Sequence, residues 1–126
     1  MAALVDTSIL VDHLRGRSEA RDLLAGELSA GEPLFGSVLT KVEVLAGIRR
    51  AEAAPTRALL DVLIWADVTD PIAERAGALA SRFLRSHRGV DLVDYVIAAT
   101  REELDLPLWT RNVRHFPMIA GLRAPY

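Results

Sequence analysis

Carboxylates scattered along a chain are the raw material of an oxygen-ligand site for a hard divalent cation, and four stand out here: Asp6, Glu43, Asp91 and Asp94. Asp6 comes directly after the apolar run at residues 2–5. In open parallel sheets ligands bind beyond the carboxyl ends of the strands, so a carboxylate there is well placed for chemistry. A strand-end aspartate that merely bonds nearby backbone N–H groups fits the position equally well. Glu43 borders an apolar helix face made by Val42, Leu45 and Ile48. An exposed helix glutamate is the commoner explanation of such a residue. Gly47, four residues on, is harder to dismiss: inside a helix glycine costs roughly 1 kcal/mol relative to alanine, which asks for close packing or the close approach of a ligand.

Asp91 and Asp94 form the strongest local signal. Three residues apart in a first helical turn, they share one side of the helix. Both gain from the helix dipole while repelling each other, and a divalent cation resolves that repulsion. The alternative is one capping residue beside one solvated aspartate. Against it, Leu92, Val93, Val96, Ile97, Ala98 and Ala99 make the helix apolar nearly all round. That predicts burial, and burial is costly for an unpaired charge. Further on, residues 108–116 read as a strand ending in polar side chains. Thr110, Asn112 and His115 are candidates for lining a site, with Arg111 and Arg114 facing phosphate. His115 has no partner at HxxxH or HExxH spacing and reads as structural or peripheral; His13 and His87 show no ligand spacing either.

These side chains need elements to hold them. The pattern predicts a strand over residues 2–5, a helix capped by Ser8 and stopped near Gly16, and a second helix capped by Ser18 and ending about Gly31. A strand over 34–39 and a helix over 40–50 follow. Pro55 suits the first turn of a helix that runs to Trp65, before a brief extended piece around Val68. From Pro71, Ile72, Ala76, Leu79, Ala80, Phe83 and Leu84 recur at helical spacing until Gly89 breaks the pattern. Asp91 caps a helix through Leu104, residues 107–110 form a last strand, and 116–126 are irregular. Strands separated by helices imply an α/β fold with a mainly parallel central sheet. No repeat, linker or low-complexity segment divides the chain, so residues 1–126 read as a single domain.

Composition narrows the function classes. With 126 residues, 51% of them hydrophobic, the chain can bury a core without disulfides or a structural metal. The absence of cysteine excludes a disulfide framework, a thiolate zinc site and a cysteine nucleophile. No signal-peptide pattern or membrane-length apolar run is present, so the expectation is a soluble, cytoplasmic protein. A net charge of −2 argues against a nucleic-acid binder. Yet every basic residue except Lys41 is arginine, clustered at Arg49 and Arg50, across 82–88 and across 111–114. Arginine forks suit phosphate, although a GC-rich genome produces the same excess, so charge leaves the RNA question open.

Together the pieces Val5-Asp6-Thr7-Ser8, the helix from Glu43 to Gly47, Asp91-Leu-Val-Asp94-Tyr-Val-Ile-Ala-Ala-Thr100 and Thr110-Arg-Asn-Val-Arg-His-Phe116 resemble the PIN domain. Within it they resemble the VapC toxins of bacterial toxin–antitoxin pairs. The pieces span nearly the whole chain in the family's order. The resemblance implies a PIN-like α/β fold, a parallel sheet of four to five strands flanked by helices. It implies Asp6, Glu43 and Asp94 as a shared acidic core, Mg²⁺ or Mn²⁺, and endonucleolytic cleavage of RNA (tRNA or rRNA) to inhibit growth. It also implies a cognate VapB-type antitoxin and a homodimer, with Ile9, Leu10 and Leu14 as part of the antitoxin surface. Many members have an aspartate where this chain has Asn112, so the fourth carboxylate here is Asp91, and whether one metal or two is held stays open. Thr110, Arg111, Asn112 and Arg114, with Arg15, are the candidates for contacting RNA.

Other readings fare worse. A phosphatase of the haloacid-dehalogenase type needs a second aspartate two residues after the first, where this chain has Ser8. A dinucleotide binder needs Gly-x-Gly-x-x-Gly after the first strand, which is missing. Another PIN nuclease, in RNA processing or DNA repair, is a further reading. The non-enzyme alternative is a PIN-like module that binds RNA or protein without cutting; a degraded site would have lost one of Asp6, Glu43 or Asp94, and all three are present.

Overall fold

In the computed structural model, which describes Met1–Tyr126, the alternation of side chains along the first strand divides the core in two. Leu4 and Val5 of β1 (Ala3–Val5) are fully buried and face opposite sides of the sheet. Leu4 joins a cluster with residues of α5 (Asp70–Phe83) and α6 (Leu92–Leu104). Val5 joins one built by α1 (Thr7–Leu14), α2 (Ser18–Ser29), α3 (Val38–Ala46) and α4 (Ala53–Val62). Cover on both faces is what an all-parallel sheet requires.

The other strands are β2 (Leu34–Ser37), β3 (Ile64–Ala66) and β4 (Leu108–Trp109), in the order β3-β2-β1-β4 with every pairing parallel. Leu4 stands opposite Phe35 on one side and Leu108 on the other, and Val5 opposite Trp109. The chain first winds outward from β1 through β2 to β3, then returns to lay β4 on the other side of β1. The winding therefore reverses between β1 and β4, and beyond their carboxyl ends lies the crevice where open α/β sheets bind ligands.

Several boundaries differ from expectation for local reasons. The first helix starts at Thr7, with extended Asp6 rather than Ser8 at its cap position. Arg17, not Ser18, precedes α2. Ser37 caps α3 by accepting the Leu39 N–H at 3.2 Å, so the strand ends at Ser37 and the helix opens before Thr40. That helix ends at Ala46, which makes Gly47 its C-cap instead of a mid-helix residue. A methyl group there would meet nothing closer than the Glu43 carbonyl oxygen at 3.6 Å, so packing within the chain does not demand the glycine. The third strand lies at residues 64–66 and not around Val68, because these residues pair with 35–37 of β2; the Trp65 indole turns back to donate to the Leu60 carbonyl at 2.9 Å. Its ring lies so close over Gly36 that a β-carbon there would sit 2.6 Å from it. As its apolar sequence predicts, α6 is enclosed through its middle, where the consecutive buried residues Ile97–Thr100 span a full turn; its ends reach the surface, with Leu92 65% exposed. No helix is long and apolar enough to cross a membrane.

Candidate active site

At the crevice beyond β1 and β4 a cavity of about 460 Å³ opens. Asp6, Thr7, Ser8, Asp12 and Arg17 line it from the start of the chain, Glu43 from α3, Asp91 and Asp94 from the start of α6, and Arg111, Asn112 and His115 from the segment after β4. All four candidate carboxylates thus face one space although three separate segments deliver them.

Asp6 is the anchor. It is only 6% exposed, and its backbone N–H donates to the Trp109 carbonyl at 2.9 Å, which extends the β1–β4 pairing past the strand ends. Its Oδ2 accepts the Thr110 hydroxyl at 2.7 Å and the Ser8 hydroxyl at 3.3 Å, leaving Oδ1 open to another partner. The two hydroxyls then hold the loop: Ser8 Oγ accepts the Arg111 N–H at 3.0 Å, and Thr110 Oγ1 accepts the Asn112 N–H at 3.0 Å. Thr110, expected from the sequence to face RNA, is fully buried in this structure, with its hydroxyl turned to Asp6.

Asp91 and Asp94 cap each other. The Asp94 N–H donates to Asp91 Oδ1, and the Asp91 N–H donates to Asp94 Oδ2, both at 3.2 Å. Asp91 is exposed at the rim, whereas the Asp94 side chain is 14% exposed. Burial raises the Asp94 carboxyl to about 6, and the nearby Asp91 and Asp6 charges push the same way against the Asp91 N–H and His115. His115 reads as peripheral in the sequence, yet its Nδ1 lies 3.3 Å from Asp94 Oδ2 and it lines the cavity. Glu43 is exposed at the edge, its Oε1 accepting the Thr7 hydroxyl at 2.7 Å.

The donor set is hard oxygen with one imidazole, which suits Mg²⁺ or Mn²⁺. No three Asp, Glu or His groups are spaced to ligate a single ion directly. That arrangement fits a cation that keeps much of its water and takes only one or two carboxylates, as Mg²⁺ does. Burial does most to hold the Asp94 carboxyl up and the Asp91 and Asp6 charges add to it; a cation would relieve that added repulsion.

The arginines sort differently from the sequence reading. Arg111 lines the cavity, and Arg114 lines a neighbouring depression of about 440 Å³. Arg15 lies outside the cavity, bound to Glu52. Arg17 takes the place expected for Arg15, and neither it nor Asp12 carried any motif that could have singled it out. Ile9 and Leu10 are 0% exposed and belong to the core, so they cannot form a docking surface; Leu14 is partly buried. Apolar surface is exposed instead at a cavity of about 350 Å³ between α2 and α4, lined by Leu24, Leu28, Leu59 and Val62.

A family model described as PIN domain matches residues 3–122. Over 123 residues the chain is 49% identical to Ribonuclease VapC19 of Mycobacterium tuberculosis, covering 98% of both chains. It is 43% identical to Ribonuclease VapC10 of the same organism, covering 98% of this chain and 92% of that relative. Among solved structures, a toxin–antitoxin complex from Klebsiella pneumoniae matches with a TM-score of 0.80 and 34% identity over 98% of both chains. The DNA-bound VapBC of Salmonella typhimurium shares the fold at a TM-score of 0.80 and 21% identity, over 98% of this chain and 97% of that one.

Proposed function

The chain belongs to the PIN-domain family, in its VapC branch, and from that membership we propose that it is a Mg²⁺- or Mn²⁺-dependent endoribonuclease, the toxin of a type II toxin–antitoxin pair. The observation that carries the reading is the cavity itself: four carboxylates from three segments, with two arginines beside them. A phosphodiester is anionic, and bare carboxylates would repel it. A bound divalent cation inverts the local sign, acidifies water and stabilises charge developing on oxygen.

The residues then divide the work. Asp6 and Asp94 hold the cation, Asp6 aligned by the Thr110 and Ser8 hydroxyls and Asp94 by the Asp91 N–H. Asp91 completes the set from the rim. Glu43, steadied by Thr7, positions the attacking water or an outer ligand water. Asn112 supplies a neutral amide to the cavity lining, which adds no further negative charge facing the substrate. Arg17 and Arg111 hold phosphates flanking the scissile one, and Arg114 guides the strand leaving the cavity. The protein works in the cytoplasm, where its antitoxin covers the apolar cavity between α2 and α4 and sends a basic side chain into the acidic one.

Purified protein incubated with total RNA tests this. New 5′ ends should appear at defined positions with Mg²⁺ or Mn²⁺ and be absent with EDTA. Cleavage that persists in EDTA, or RNA binding with no cleavage under any cation, refutes the metal-dependent nuclease.

A further inference from the structure

The segment after β4 ends in an arrangement that the nuclease chemistry does not by itself explain. Phe116 and Ile119 are buried against the α5–α6 side of the sheet, whereas Tyr126 packs against the cluster on the opposite side. The segment therefore passes the open edge of β4 and brings Tyr126 behind three residues of the cavity lining, Asp12, Arg17 and Arg111. There its hydroxyl donates to Asp12 Oδ2 at 2.7 Å. Its ring carries two guanidiniums, Arg17 at 5.2 Å and Arg111 at 4.9 Å from the ring centre. Both arginines also reach Asp12, Arg111 at 3.2 Å and Arg17 at 3.8 Å.

We propose that Tyr126 is a positioning residue: its ring and hydroxyl hold Arg17 and Arg111 apart at the mouth of the acidic cavity, so that together they take an RNA phosphate next to the one cleaved. This rests on the ribonuclease reading and deepens it. The charge balance gives the reason. Both guanidiniums share the one Asp12 carboxylate, and only Arg17 has a second partner, the half-exposed Glu19 at 3.6 Å, so Arg111 is the less neutralised of the two and the better placed to take a phosphate. Long arginine side chains without a platform would lose that geometry, and Asp6, Asp91 and Asp94 in the same cavity would compete for them. A tyrosine face attracts both cations without neutralising either. The hydroxyl fixes the ring against Asp12, and its pKa, pushed up to about 12 by burial and by the Asp12 bond, keeps it a neutral donor. The Arg111 backbone is tied separately to Ser8, so only the direction of its side chain depends on Tyr126.

The test uses a fluorescein-labelled oligoribonucleotide of mixed sequence in Mn²⁺, followed both by cleavage and by fluorescence anisotropy across a range of salt. Tyr126→Ala should raise KM and the binding Kd roughly tenfold, because it removes the aromatic platform under two guanidiniums and one charged hydrogen bond, with kcat little changed. Its log–log salt slope should shrink by roughly 0.7 for each phosphate the variant fails to hold. Tyr126→Phe should fall between, and Tyr126→Trp, which keeps a platform, should recover most of the affinity. Adding Tyr126→Ala to Arg111→Ala should cost much less than the two single effects multiplied. Unchanged KM and salt slope in a folded Tyr126→Phe and Tyr126→Ala, or full multiplicativity with Arg111→Ala, overturns the proposal. If Tyr126→Ala does not fold, the Phe and Trp variants carry the same readings. Binding that depends on Tyr126 without any cleavage by the wild type sinks the nuclease and leaves the positioning role standing. A wild type that neither binds nor cleaves RNA overturns both.

Discussion

Replacing Asp94 by Asn removes one charge from the cavity and keeps the shape of the side chain. Asp94 Oδ2 accepts the Asp91 N–H at 3.2 Å, and an amide oxygen can accept the same bond, so the cap survives. In the wild type the Asp94 carboxyl sits at about 6, above its ordinary 3.8, because burial and neighbouring carboxylates oppose its ionisation. A carboxyl whose folded pKa is raised weakens the fold when it ionises. The metal-free protein is thus most stable, as far as this group goes, below pH 3.8, loses stability as the pH climbs toward 6, and levels off above that. A shift of about two units corresponds to ~3 kcal/mol, and solvent screening in an open cavity reduces this to roughly 1–2 kcal/mol. Metal-free Asp94→Asn should therefore melt roughly 4–8 °C above the wild type near neutral pH, with the gap closing as the pH falls to about 4. Mn²⁺ reverses the order. At a hundred times Kd it should stabilise the wild type by roughly 2.7 kcal/mol, while the variant loses most of that response and its RNA cleavage. Thermal melts of both proteins across pH, with and without Mn²⁺, measure all of this. A variant that melts lower at neutral pH and still responds fully to Mn²⁺ would show that Asp94 only caps its helix.

Thr110→Val keeps the buried volume but removes the hydroxyl that aligns Asp6, so cleavage should fall roughly 10- to 100-fold and need more Mn²⁺ for half-maximal rate; an unchanged metal titration would refute the aligning role. Tyr95 buries its hydroxyl without a partner, so Tyr95→Phe should leave the melting temperature unchanged or raise it, and a clear drop would mean that the hydroxyl is bonded in solution. Val62→Asp places a charge in the apolar cavity between α2 and α4, and the coexpressed antitoxin should then fail to co-purify or to rescue growth. Rescue equal to the wild type would mean that the antitoxin docks elsewhere.

How much of this was legible in the sequence depended on whether a feature is local. Asp6 is marked by the strand before it, and the Asp91–Asp94 pair by its spacing in a first turn; both signals lie within a few residues. The parallel α/β order was equally readable, because strands and helices alternate along the chain. Gly47 misled because a C-cap and a mid-helix glycine look alike until the end of the helix is known, and Ser37, not Thr40, sets the frame of α3. Ile9 and Leu10 misled for the reason that an apolar residue on a helix does not reveal whether a neighbour already covers it. Here the second cluster covers both completely. Asp12, Arg17 and Tyr126 had no local signature at all. Asp12 and Tyr126 meet across a separation of 114 residues, and only the passage of the last segment around the β4 edge joins them. Apart from Glu43, which sits within α3, the acidic half of the site is thus written in short motifs at strand and helix ends, where the backbone fixes direction. The basic half is assembled from long side chains whose direction is set by what they touch, so it became visible only in three dimensions. For the same reason a substitution at Tyr126 should change how RNA is held while leaving every acidic motif intact.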